Sequence, residues 1–170
     1  MYMNLLIGKD TPDFAKDTVY RFMKMLQINW IRFTTILSSR IIKDAIVPLD
    51  SEDRANVLII DDSMFERNRS KKVELLAKVY DHAKRCYKFG FRMLTLGWSD
   101  GSTFLPVNSI LLSTENKKNR INEAKEIDKR TVGYKRRMLA VEKGTIAMLE
   151  LLNSAKKADI PAKYVLFDSW

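Results

Sequence analysis

Between residues 14 and 41 the apolar positions recur at helical spacing. Phe14, Val19, Phe22, Met23 and Leu26 form one stripe, and Trp30, Phe33, Leu37 and Ile41 a second. Thr11 can cap the first predicted helix, Pro12 suits its first position, and Asn29 can cap the second. Two helices joined by a short turn predict either a helix-turn-helix element or a pair packed onto a neighbouring domain. The segment "VPLDSEDRAN" is a polar connector containing Pro48 and predicts a boundary near residue 50.

The period then changes. Val57, Leu58, Ile59 and Ile60 are consecutive, apolar and mostly β-branched, which predicts a strand covered on both faces. "SMFERNRSKKVELLAKVYDHAKR" carries two signals. Its Val73, Leu76, Ala77 and Tyr80 fit a helical stripe, while the Arg/Lys/Asn cluster before them reads as an exposed loop. Two apolar runs around Ser99-Asp100-Gly101-Ser102 predict a hairpin, and Pro106 puts an edge or a bulge in its second strand. "TENKKNRINEAKEIDKRTVGYKRR" is nearly devoid of apolar residues and predicts a loop. One helix is expected through Met138, Val141, Thr145, Met148, Leu152 and Ala155, ending before Pro161. "KYVLFDSW" predicts a last short strand carrying Asp168.

Strand, hairpin, helix and strand in that order describe an α/β (α+β) mixed sheet. If the helix makes a right-handed crossover, the last strand lies parallel to the first. Asp62 and Asp168 would then meet at one rim although distant in sequence. Facing carboxylates repel unless a cation lies between them, and oxygen ligands suit Mg²⁺ or Mn²⁺. Such ions serve in-line displacement at phosphorus.

Charge narrows the choice of partner. Thirty Lys and Arg against 21 Asp and Glu leave a net charge of +9, which favours polyanions, nucleic acid first. Lys135, Arg136 and Arg137 are the favoured DNA contacts, with Arg67, Arg69, Lys71 and Lys72 a second cluster. Tyr134 or Trp98 could stack on bases. A lone His82 and a lone Cys86 exclude a zinc site built on soft ligands and an internal disulfide. No apolar stretch approaches a membrane span and no signal peptide is legible. A cytoplasmic protein is therefore expected, with no membrane partner.

At this point the sequence resembles a family, the DDE transposases of bacterial insertion sequences, with their RNase H-like fold. "VLIIDDS" is similar to their first catalytic strand, "GFRMLTLGWSDGSTFLPVNSILLS" to the following hairpin, and "KYVLFDSW" to the strand bearing the second aspartate. "DTVYRFMKMLQINWIRFTTILSSRII" resembles the helical region ahead of that domain. The resemblance implies an N-terminal helical region, 1–50, that could bind DNA, and a partial RNase H-like catalytic domain, 55–170. It implies Asp62 and Asp168 as catalytic metal ligands, with Asp61 the alternative to Asp62. It also implies Mg²⁺ or Mn²⁺, transposon-end and target DNA as partners, and a possible homodimer in a full-length relative. The family's third acid, a glutamate on a later helix, matches no residue here. The chain is therefore expected to be a truncated fragment, inactive alone.

Two other readings compete. A non-catalytic DNA-binding protein would use the basic clusters without the acids. A receiver-type phosphoacceptor domain would share the "VLIIDDS" start and use Asp100, but no Lys-Pro occurs and Asp100 falls in a hairpin turn.

Overall fold

A computed structural model of the chain describes residues 14–49, 51 and 53–168. The predicted cap Thr11 and Pro12 lie outside the described residues. Helix α1 spans Lys16–Met23 and α2 spans Trp30–Ile41. The side chain of Asn29 caps α2 by accepting the Arg32 N–H at 3.0 Å, as its sequence position suggested. The chain continues through a π-helical turn, Ile42–Ile46, and a 3₁₀ turn, Val47–Leu49.

The apolar stripe of α2 faces outward: Phe33, Leu37 and Ile41 are exposed. Its inner face is Thr35, Ser38 and Ser39, all buried. Small hydroxyl residues allow close approach, and each hydroxyl finds a partner across the contact. Thr35 Oγ1 lies 3.3 Å from Ser154 Oγ, Ser39 donates to the Ala158 carbonyl at 2.7 Å, and Asn108 donates to Thr35 Oγ1 at 2.9 Å. Periodicity located the helix but gave the wrong inward face, because hydrogen bonding rather than apolar burial seats it.

The sheet has five strands: β1 (Val57–Glu66), β2 (Ala77–Asp81), β3 (Cys86–Ser99), β4 (Phe104–Leu112) and β5 (Tyr164–Phe167). The order is β2-β3-β1-β5, with β4 also on β3. Every pairing is antiparallel except β1 with β5, which is parallel. The sheet is thus mixed and the fold α/β, as expected. Strand β1 runs six residues beyond Ile60, and the helical stripe of Val73 to Tyr80 forms no helix. Ala77–Asp81 instead pairs with Cys86–Gly90, because its alternation of inward Ala77 and Asp81 with outward Lys78 and Tyr80 has the period of a strand. The hairpin turn falls at Asp100-Gly101. Gly101 alone takes a positive φ, +91°, while the buried Asp100 carboxylate accepts the Ser102 and Thr103 N–H groups. Pro106 sits on strand β4, which pairs only with β3, beside a register shift opposite Leu96/Gly97.

The single long helix of the sequence reading is two: α3 (Val132–Leu139) and α4 (Gly144–Lys157). Gly144 is a poor interior helix residue and begins the second helix rather than continuing the first. The buried face of α4 is Ala147, Leu151 and Ala155, while Met148 and Leu152 pack at its margin and Met138 is exposed. That face covers Leu94, Leu96 and Trp98 of β3 and Leu58 and Ile60 of β1, together with Ile42. The core therefore joins residues on both sides of residue 50. A smaller cluster, Leu75, Leu76 and Phe91 with Phe65 and Val141, lies apart from it. Trp98, fully buried and donating to the Pro161 carbonyl at 2.7 Å, is core and offers no face for stacking on a base.

Candidate functional site

The parallel pairing of β1 and β5 sets the geometry of the acids. Val57 lies beside Tyr164 and Ile60 beside Phe167, so β5 ends level with Ile60, partway along β1, which runs on to Glu66. Continuing that register by one residue sets Asp168 level with Asp61, and Asp62 one step further. Within β1, Asp62 follows Leu58 and Ile60 onto the helix-covered face, whereas Asp61 faces the other way and is exposed. Asp168 lies past the last paired residue of β5 and is exposed, so strand alternation does not fix its face.

Asp62 is enclosed more than its neighbours. Its side chain is 15% exposed and ion-paired to Arg92 of β3. Arg92 Nε donates to Asp62 Oδ2 at 2.7 Å, and Nη2 reaches the same oxygen. The pair is diagonal across the antiparallel ladder, since Asp62 is directly opposite Leu94. A cavity of about 510 Å³ opens beside it, lined among others by Asp62, Glu66, Asp81, His82, Lys84 and Arg92. Deeper along the same face, Lys88 bridges Glu66 and Asp81. The hydrogen bond from Lys88 holds the Glu66 carboxyl below its usual range. Asp81 is held down chiefly by the Lys84 N–H and then by Lys88, whose own pKa is pushed up, first by Glu66.

Arg92 was missed by sequence reasoning. Its signal was a lone cation inside the apolar run "FGFRMLTLGW", two positions from the residue that faces Asp62.

The donor chemistry at the rim is that of a hard-cation site. Its acids offer carboxylate oxygens only, and Asp62 already balances a positive charge through one oxygen. Among the described residues no group of three or more His, Cys, Asp or Glu side chains converges on one point. A cation at this rim would therefore take few ligands from these residues and would need water or phosphate oxygens to complete its shell.

The predicted DNA contacts do not act as one patch. Arg137 is committed to Glu74, at 2.6 and 3.0 Å, and this pairing depresses the Glu74 pKa. Lys135 and Arg136 are exposed and line a second cavity, of about 660 Å³, between α2, α3 and α4. Arg67 stacks on the Phe65 ring at 4.4 Å, and Arg69, Lys71 and Lys72 are exposed on the loop between β1 and β2. His82 is exposed and lies edge-on to Tyr80. Cys86 is exposed. Asp100, the acceptor a receiver reading requires, is 3% exposed and committed to its own turn and to Arg54. No helix among the described residues is long and apolar enough to cross a membrane.

Residues 7–170 match the family described as DDE superfamily endonuclease. No curated protein and no solved structure matches the chain.

Proposed function

The chain belongs to the DDE superfamily endonuclease family, and on that premise we propose that it is the part of an insertion-sequence transposase that brings two of the catalytic acids together on DNA. The observation that supports this reading is the parallel β1–β5 pairing, whose last pair, Ile60 and Phe167, comes just before Asp61, Asp62 and Asp168. Asp62 and Asp168 would hold Mg²⁺ or Mn²⁺, with Asp61 able to replace Asp62 as ligand. When bound, the ions supply the Lewis acidity that phosphoryl transfer needs. The chain's own part is electrostatic and positional. Arg92 fixes the rotamer of Asp62 and neutralises it at rest, which removes the cost of an unpaired, largely enclosed carboxylate. The exposed cations on the rest of the surface draw in the phosphate backbone. In transposition, water cleaves a phosphodiester at the element's end, and the freed 3′ hydroxyl then attacks target DNA. A homodimer would bring two such ends together.

No glutamate is assigned the role of the family's third acid here, and the proposal for this polypeptide is DNA binding without nicking. Mn²⁺ titration followed by electron paramagnetic resonance tests the assignment. Asp62→Asn and Asp168→Asn should each weaken binding about tenfold or more, and Asp61→Asn much less. If Asp61→Asn alone weakens it, Asp61 takes the place of Asp62. Wild-type affinity in all three variants would remove the reading. Nicking of duplex DNA by the wild-type chain, lost in Asp62→Asn, would overturn the inactivity.

A further inference from the structure

The cavity between α2, α3 and α4 belongs to no part of the acid rim. None of its lining residues lines the cavity beside Asp62. Four cations line it: Arg32 from α2, Lys135 and Arg136 from α3, and Lys157 from the end of α4. Glu150 is the one carboxylate among the lining residues. Among the described residues, none of the four cations has a salt-bridge partner, whereas Arg92, Arg130, Arg137 and Lys43 each have one and Lys88 has two. Several like charges brought to one concavity without counter-charges repel one another, and an anion entering it relieves that repulsion.

The walls of the cavity are built, not accidental. Thr35 and Ser39 of α2 bond to Ser154 and Ala158 at the C-terminal part of α4, which fixes the two helices at close range. On the other side, the Gly133 N–H of α3 bonds to the Leu26 carbonyl at 2.8 Å, and a Cβ at Gly133 would come within 2.7 Å of the Leu26 side chain. The segment leading into α2 is thereby held against α3, so Arg32 and the Lys135/Arg136 pair sit on opposing walls.

We propose that this cleft binds the sugar-phosphate backbone of duplex DNA, separately from the acid rim. The inference rests on the DNA reading above and deepens it by giving the duplex a place. The chemistry favours duplex over single strand. Single-strand binding relies on aromatic faces that stack on unpaired bases, and among the described residues no aromatic side chain lines this cleft. Cations alone read phosphate and not sequence. Arg32 and Lys157, neither of which was among the DNA contacts predicted from the sequence, join Lys135 and Arg136 as phosphate contacts. Arg137, their neighbour in sequence, does not, because Glu74 holds it.

Fluorescence anisotropy with a labelled duplex, repeated across salt concentrations, tests the assignment on the full chain. Each phosphate contact adds about 0.9 to the slope of log affinity against log salt. Arg32→Ala and Lys157→Ala should each lower that slope by about 0.9, equally for duplexes of unrelated sequence. Over a fourfold rise in salt, each variant should therefore lose about threefold less affinity than wild type does. Glu150→Gln should bind more tightly than wild type, a gain that a misfolded variant could not produce. Arg130→Ala, whose guanidinium is already spent on Asp128, should leave the slope unchanged. Wild-type slopes in Arg32→Ala and Lys157→Ala, with duplex binding intact, would overturn the cleft and leave the DNA reading standing. Absence of duplex binding by the wild-type chain at low salt would overturn both. Tighter binding of single-stranded than duplex DNA, with the same variants affecting it, would overturn the assignment to duplex.

Discussion

The acid rim and the three-helix cleft are both charged, and they differ in how that charge is settled. Beside Asp62 and along its groove, the acids are paired with cations: Asp62 with Arg92, and the exposed Glu66 and the buried Asp81 both with Lys88. In the cleft, the cations stand without partners among the described residues. Paired charges in a concavity hold a geometry and must be released before a ligand can take over one member. Unpaired charges of one sign offer binding directly, at the cost of mutual repulsion in the free protein. The comparison assigns different physical work to the two regions. The rim holds carboxylates in place until a cation competes for them, and the cleft supplies attraction for a polyanion.

The largest disturbance should come from the core that the two regions share. Trp98 is fully buried between the sheet and α4 and donates to Pro161. Trp98→Ala should cost about 3–5 kcal/mol in urea unfolding and damage rim and cleft together. If either region kept its binding after such a loss, the two would not depend on one fold.

A smaller effect separates them. Arg92→Ala leaves Asp62 without its counter-charge, and should cost about 1–2 kcal/mol of stability without added metal. Saturating Mn²⁺ should recover much of that loss, while the duplex salt slope stays as in wild type. A loss that Mn²⁺ does not touch would mean the pair is structural only.

Next comes the Glu74–Arg137 pair, which ties the segment before β2 to α3. The Glu74 carboxyl is held below its ordinary value of 4.5, first by the hydrogen bond from Arg137. Its contribution to stability is therefore complete above that value and lost as pH falls through the lowered folded-state value. Glu74→Gln should reduce stability at neutral pH by about 1 kcal/mol and flatten the acid limb of the stability profile. Arg137→Ala should do the same and leave the duplex salt slope alone. A fall in that slope would move Arg137 into the cleft.

The least effect is expected at Lys43–Asp159, where Asp159 is 94% exposed. Lys43→Ala should change unfolding stability by less than about 0.5 kcal/mol, and less still at high salt.

Strand β1 was legible because consecutive β-branched residues leave few alternatives to a strand, and β5 because a short apolar run follows the helix-ending Pro161, although β5 is exposed along its whole length. The Asp-Gly turn was legible because only Gly101 had to take a positive φ, and the order of elements predicted the parallel return of β5. Three features were not legible. Strand β2 was masked because Val73, Leu76, Ala77 and Tyr80 also fit a helix, and the pairing with β3 that decides between them is non-local. The inward face of α2 was misread because Thr35, Ser38 and Ser39 are buried through hydrogen bonds, which hydropathy does not register. The cleft was invisible because its cations come from helices far apart in sequence. Of its members, Lys135 and Arg136 were found only through their local run, which also drew in Arg137. Arg32 and Arg92 left a fainter mark, each a single cation within an apolar stretch.

The central claim is that β1 and β5 carry their aspartates to one place where a divalent cation can be shared. Paramagnetic broadening of backbone amide signals by substoichiometric Mn²⁺ tests it most directly. The account predicts that signals from residues 60–64 and 165–168 broaden together, and that both effects disappear in Asp62→Asn while signals from 147–155 stay sharp. Broadening confined to one of the two strands, or broadening of both that survives Asp62→Asn and Asp61→Asn alike, would contradict it.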